Sequence, residues 1–126
     1  MILLDTHVWI WWHADAARLS RRARTCLADA DQVAIAAISM WELSMLASRG
    51  RLTLDRDPLV WMRQALAQPR SVLLPLSPEV AAASASLTAH GDPADRLILA
   101  TALVHRARLV TKDQQMRKSA NVETVW

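Results

Sequence analysis

Short apolar runs recur along the chain, and each is followed by residues that start helices. Met1-Ile2-Leu3-Leu4 is apolar at every position and stops at Asp5. A run with no polar alternation predicts a strand covered on both faces. Thr6 to about His13 follows as a short Trp-rich helix or turn, in which Trp9 and Trp12 share one face and Trp11 points elsewhere. Ser20 has the chemistry of an N-cap for a helix running through Asp29. Val33 to Ile38 reads as a second buried strand. Ser39 then caps a helix that carries Glu42 in its first turn and ends near Gly50.

The second half repeats the pattern. Pro58 opens a helix through Ala67. Ser71 to Leu76, between Pro69 and Pro78, forms a third strand. Ser77 and Glu79 begin an alanine-rich helix that ends near His90-Gly91. Asp92-Pro93-Ala94-Asp95 opens a further helix through about Arg106. Leu109-Val110-Thr111 is a fourth strand, and Val122 to Trp126 can add a short last one. Strands alternating with helices predict an α/β fold, with a central parallel sheet of four to five strands flanked by helices. Functional groups in such sheets collect beyond the carboxyl ends of the strands, at the topological switch point.

That rule singles out the acids. Asp5 ends the first strand and Asp113 follows the fourth. Glu42 lies on the helix after the second, and Asp92 and Asp95 begin a helix three residues apart, where side chains can share a face. Each has an ordinary alternative. Asp92 alone reads as a cap, Asp113 as a turn residue, and Glu42 and Asp95 as favourable charges near a helix N-terminus. Gathered at one sheet end they would repel one another without a cation. An oxygen-only donor set suits Mg²⁺ or Mn²⁺.

Composition sets the limits. The 126 residues are 52% hydrophobic, enough for one domain, spanning 1–126, with its own core. The lone Cys26 permits neither an internal disulfide nor a thiolate zinc site. The four His show no HExxH spacing, and two glycines are too few for a phosphate-binding Gly-rich loop. No apolar run reaches the ~18 residues of a membrane helix, and Asp5 interrupts any secretory signal, so a cytoplasmic protein is expected. The net charge of +3 is carried mostly by arginine. It permits a nucleic-acid partner without requiring one. Arg18, Arg21, Arg22 and Arg24 form a basic cluster, read first as a solvated helix face and alternatively as an RNA or partner contact. Trp41 and Trp61 read as core or helix-interface residues.

Four segments, in this order, carry a resemblance: Leu3-Leu4-Asp5-Thr6-His7, Ser39-Met40-Trp41-Glu42-Leu43, Asp92-Pro93-Ala94-Asp95-Arg96-Leu97-Ile98 and Leu109-Val110-Thr111-Lys112-Asp113. Together they resemble the PIN-domain family, and within it the VapC-type toxins of bacterial type II toxin–antitoxin systems. The resemblance implies a single PIN domain, metal-dependent endoribonuclease activity, inhibition by a cognate antitoxin that covers the active site, and a homodimer. It places Asp5, Glu42, Asp95 and Asp113 on the family's acidic cluster and Thr6 and Thr111 on its small hydroxyl positions. Asp92 matches a secondary acid, and His7 has no assigned role.

On this reading Asp5 and Asp95 ligate Mg²⁺ or Mn²⁺ most directly, while Glu42 and Asp113 act through water or a second ion. Lys112 and Arg96 are candidate RNA-phosphate contacts, with Arg96 alternatively neutralising the acids. The Trp-rich segment Trp9-Ile10-Trp11-Trp12 is bulkier than the family's usual aliphatic pattern. The alternative from another class is a non-catalytic PIN-like module that binds RNA or protein.

Overall fold

The computed structural model describes residues 1–88, 91–119 and 121–126. Its strands are β1 (Ile2–Leu4), β2 (Val33–Ala36), β3 (Ser71–Leu74), β4 (Arg108–Val110) and β5 (Thr124–Val125). The helices among the described residues are α1 (Thr6–Ala14), α2 (Arg21–Asp29), α3 (Ala37–Ser48), α4 (Pro58–Leu66), α5 (Pro78–Ala85), α6 (Pro93–His105) and α7 (Gln114–Arg117). All strand pairs are parallel, in the order β3-β2-β1-β4-β5.

Strand alternation explains the unbroken apolar runs. Ile2, Leu4, Val33, Ile35 and Val110 face one core, which also holds Val8, Trp9, Leu43 and Trp61. Leu3, Ala34, Ala36 and Leu109 face the opposite core, with Ile98, Leu99 and Met116. Successive side chains leave a strand on opposite faces, so a sheet covered on both sides needs apolar residues at every position. The alanines of β2 leave room on the second face for the larger side chains of α6.

Helix starts follow local chemistry. The Ser20 hydroxyl accepts the Ala23 N–H at 3.1 Å, and the Ser77 hydroxyl accepts that of Val80 at 3.2 Å. Asp57 accepts the N–H of Leu59 and Asp92 that of Ala94, and Pro58, Pro78 and Pro93 occupy the turns where a missing N–H costs nothing. Helix α3 departs from expectation. It starts at Ala37, directly after β2, with Ala36 at the cap and no side-chain cap bond. Ser39 therefore lies inside the helix and is fully buried, and Glu42 falls in the second turn rather than the first. The apolar stretch through Ile38 has no period that separates strand from helix. Strand β3 stops at Leu74 because Pro75 cannot donate to the ladder. Helix α5 ends at Ala85, well before His90, which lies outside the described residues. Helix α7 after Asp113 and a 3-10 turn at Ala16–Arg18 were not expected from the pattern. Trp61 is buried as expected, but Trp41 is 55% exposed. It lies two residues from both Ser39 and Leu43, the buried residues of α3, and hence on the opposite side of that helix.

The chain runs outward from β1 through β2 to β3, then returns to the other side of β1 with β4. The switch point is between β1 and β4. The backbone N–H of Asp5 continues that pairing by donating to Val110 O at 3.0 Å. Asp5 and Thr111 thus leave adjacent strands side by side.

Candidate active site

The carboxyl end of the sheet opens into a cleft of about 400 Å³, lined by Asp5, His7, Val8, Trp11, Glu42, Asp92, Asp95, Lys112 and Asp113. The five acids of interest reach it from four helices: Asp5 caps α1, Glu42 lies on α3, Asp92 and Asp95 begin α6, and Asp113 caps α7.

Asp5 is buried and is held from two sides. Its Oδ1 accepts the Thr6 N–H at 2.7 Å, as befits the N-cap of α1. Its Oδ2 accepts the Thr111 hydroxyl at 2.8 Å. The Thr111 oxygen in turn accepts the Asp113 N–H at 3.1 Å, so one buried threonine ties Asp5 to the start of α7. Asp113 caps that helix, its Oδ1 accepting the N–H groups of Gln115 and Met116.

Thr6 supplies a second tie. Its hydroxyl donates to Glu42 Oε1 and is 2.9 Å from the Ser39 hydroxyl. A hydroxyl carries one proton, so with that proton on the carboxylate Thr6 accepts from Ser39. Ser39 and Glu42 are three residues apart on α3 and share a face. Ser39 was read in the sequence only as a cap. Its spacing from Glu42 was the available signal that it belongs to this network.

Glu42, Asp92 and Asp95 each offer a carboxylate oxygen, and these oxygens lie within 4.8 Å of one another. Asp92, treated as secondary in the sequence, is therefore part of the tightest acidic group among the described residues, while it also caps α6.

Proximity and burial disturb the acids. Burial pushes the Asp95 carboxyl up to about 7, and the charges of Asp92, Asp5, Asp113 and Glu42 push the same way. Glu42 is raised by burial and by Asp5 and Asp92, against the lowering bond from Thr6. Asp5 is raised by burial, against the bonds from Thr111 and Thr6. No arginine offsets this. The one Lys or Arg ion pair within 4 Å among the described residues is Arg56–Asp55, an exposed neighbour pair. Lys112 lines the cleft, whereas Arg96 does not, and the Arg96 Nε is buried without a hydrogen-bond partner among the described residues. The basic cluster divides: Arg24 bonds the carbonyls of Leu19 and Ala17, and Arg18 stands over the Trp11 ring.

An oxygen-only cluster with raised carboxyl pKa values, and with no Lys or Arg among the described residues at ion-pair distance, fits a hard divalent ion. Such an ion supplies the missing positive charge and accepts carboxylate ligands. The donor set contains no sulfur and no compact imidazole group, which disfavours zinc. No helix among the described residues is long and apolar enough to cross a membrane.

Comparison with known proteins agrees with this arrangement. A family model described as the PIN domain matches residues 2–122. The chain is 44% identical over 129 residues to Ribonuclease VapC22 of Mycobacterium tuberculosis (strain ATCC 25618 / H37Rv), covering 99% of this chain and 98% of that protein. Among solved structures it is similar to a toxin–antitoxin complex from Klebsiella pneumoniae, at 25% identity and a TM-score of 0.69, covering 100% of this chain and 97% of that one. It is also similar to FitAcB from Neisseria gonorrhoeae, at 25% identity and a TM-score of 0.70, with the same coverage. The parallel five-stranded sheet, the acids at its switch point and these matches have one reading: the chain belongs to the PIN domain family.

Proposed function

We propose that this chain is a metal-dependent endoribonuclease that acts in the cytoplasm as the toxin of a type II toxin–antitoxin pair. The observation that carries the reading is the uncompensated group Glu42–Asp92–Asp95 beside Asp5 in an open cleft. A full-length relative named as a ribonuclease, and structural relatives solved as or within toxin–antitoxin complexes, support it. Mg²⁺ or Mn²⁺ is the proposed ion and single-stranded RNA the proposed substrate. A cognate antitoxin holds the toxin inactive, and the toxin itself forms a homodimer.

Asp5, Glu42, Asp95 and Asp113 are the proposed catalytic ligands, joined here by Asp92. The ion supplies Lewis-acid stabilisation of the phosphoryl oxygens and lowers the pKa of an attacking water. The chain's own residues do the positioning. Thr111 fixes Asp5 and Thr6 fixes Glu42, so both carboxylates are oriented before substrate arrives. Lys112 faces the cleft from the side of Asp113 and offers a point charge to a substrate phosphate. Arg96, on α6 and away from the cleft lining, is assigned no RNA contact.

The test is to incubate purified protein, freed of antitoxin, with total cellular RNA and Mg²⁺ or Mn²⁺. EDTA and Asp5→Asn serve as controls. Discrete fragments that vanish in both controls are expected. A folded protein that cuts no RNA with either ion, yet binds RNA or a partner, overturns the assignment in favour of a non-catalytic binding module.

A further inference from the structure

The cleft has two kinds of wall. Five acids, Lys112 and His7 are its polar members, and Val8 and Trp11 its apolar ones. Unlike Trp9 two residues earlier, which is fully buried, Trp11 is only partly buried against the core. Its remaining surface faces the cleft, and the indole is held there by three neighbours. The Arg18 guanidinium lies 5.1 Å over the ring. The His7 ring, one helical turn toward Asp5, is 5.8 Å away and tilted by 49°. Trp126 is 6.0 Å away and tilted by 55°. Neither aromatic neighbour lies flat on the indole, and the group over its face is the guanidinium of the exposed Arg18.

We propose that Trp11, steadied by Arg18 and Trp126, is a stacking platform for one unpaired nucleobase of the RNA, next to the phosphate that the acids address. The inference rests on the nuclease reading above and deepens it by naming a substrate-positioning residue. Trp11 lies six residues beyond Asp5, and a helix rises ~1.5 Å per residue, which puts the indole about 9 Å along α1 from the acid. That is the reach of a nucleotide flanking the scissile phosphate. The indole offers a flat apolar surface in a cleft lined mostly by acids, and every base has a face that can stack on it. Arg18, over the ring and outside the cleft lining, adds a cation beside the platform that a neighbouring phosphate can meet. A platform restrained by three contacts loses little side-chain freedom when a base arrives. A protein partner is the competing occupant, but an indole beside a cation, one step from a phosphate-directed acidic group, matches a nucleotide more closely than a peptide.

The experiment pairs protein and RNA perturbations. The probe is a short fluorescein-labelled single-stranded RNA spanning a cleavage site mapped in the total-RNA digestion. A series of the same RNA carries one abasic position at a time. Binding is measured in EDTA, where no cleavage occurs, and cleavage is measured with Mn²⁺. Trp11→Leu, which keeps apolar bulk but removes the π-face, should weaken RNA binding roughly 5- to 150-fold. Trp11→Phe should retain most of the affinity. One abasic position beside the scissile phosphate should cause a similar loss with the wild-type protein and almost none with Trp11→Leu, the non-additivity expected of partners in contact.

Equal binding by wild type and folded Trp11→Leu overturns the proposal, as does strict additivity at every abasic position. Intact RNA binding with weakened antitoxin binding overturns it in favour of a protein contact. If Trp11→Leu fails to fold, Trp11→Phe and Arg18→Gln with the abasic series decide. A wild-type protein that cuts no RNA with Mn²⁺ refutes the nuclease reading itself, an outcome distinct from wild-type cleavage that ignores Trp11.

Discussion

Asp95→Asn should make the ion-free protein more stable at alkaline pH while destroying its response to metal. In the fold the Asp95 carboxyl is neutral up to about 7, whereas an unfolded aspartate titrates near 3.8. The folded state therefore binds the proton more tightly. The stability tied to this group is complete below about 4 and is lost as pH rises through about 7. The gap corresponds to about 4 kcal/mol at ~1.36 kcal/mol per pH unit. Asp95 is only half-buried, and solvent and salt screening reduce this to about 1–2 kcal/mol. For a domain of this size that is a fall in Tm of about 3–10 °C between acid and alkaline conditions. Asp5 and Glu42 are raised as well, so their contributions have the same sign. The assay is thermal unfolding of wild type and Asp95→Asn at about pH 5 and about pH 8, in EDTA and in excess Mn²⁺. In EDTA the wild type should lose stability with pH and the variant should lose less. Mn²⁺ at about 100 times its Kd should restore roughly 2.7 kcal/mol to the wild type at the higher pH and much less to the variant. An identical pH slope for the two proteins in EDTA, or a wild type indifferent to Mn²⁺, would refute the account of the acids as an uncompensated cluster.

Two further outcomes test individual ties. Thr111→Val keeps the volume of a buried side chain but removes the donor to Asp5 and the acceptor for the Asp113 N–H. Metal-dependent RNA cleavage should fall roughly 10- to 100-fold with the fold retained by circular dichroism, and Thr111→Ser should recover much of it; wild-type rates for Thr111→Val would show that Asp5 needs no such support. Arg106 ends α6 in the left-handed conformation, with φ 51° and ψ 39°, where a Cβ is unfavourable. Arg106→Gly should raise stability by about 0.5–1 kcal/mol in urea unfolding, and a loss of stability would mean that the arginine side chain contributes more than its backbone strain costs.

The fold was legible where chemistry is local. Pro58, Pro78 and Pro93 after Asp57, Ser77 and Asp92 mark helix starts that need no tertiary information, and the structure begins α4, α5 and α6 there. The unbroken apolar runs gave a sheet covered on both faces because strand alternation feeds two cores. The failures share a cause: local pattern and tertiary placement diverge. The start of α3 has no capping side chain, so nothing in the sequence marks Ala37 rather than Ser39 as the point where strand becomes helix. Trp41 looked like a core residue by composition, yet the face of α3 that meets the sheet is set by Ser39 and Leu43. Helix α7 is four residues long, too short to leave a periodic signal, and is defined chiefly by its Asp113 cap.

The acids show why a site can be hard to read one residue at a time. Asp92 is a helix cap, as its plain reading suggested, Asp113 is a cap where a turn residue was expected, and both also line the cleft. Cap and ligand were treated as alternatives, but a carboxylate has two oxygens and about four acceptor positions. In both residues the cap bonds use Oδ1. Capping fixes the carboxylate beside the helix start, and a helix N-terminus itself favours negative charge. The local role thereby orients the group for the shared one. What decides membership of the site is where the helix begins, and that is a property of topology. The chain crosses from β3 to β4 on the far side of β1, bringing the starts of α1, α6 and α7 to the carboxyl end of the sheet. Asp5, Asp92 and Asp113, the caps of those three helices, therefore stand around one cleft. Acids at helix starts around the carboxyl end of a parallel sheet should accordingly be weighed as a set, with the switch point as the test of whether they meet.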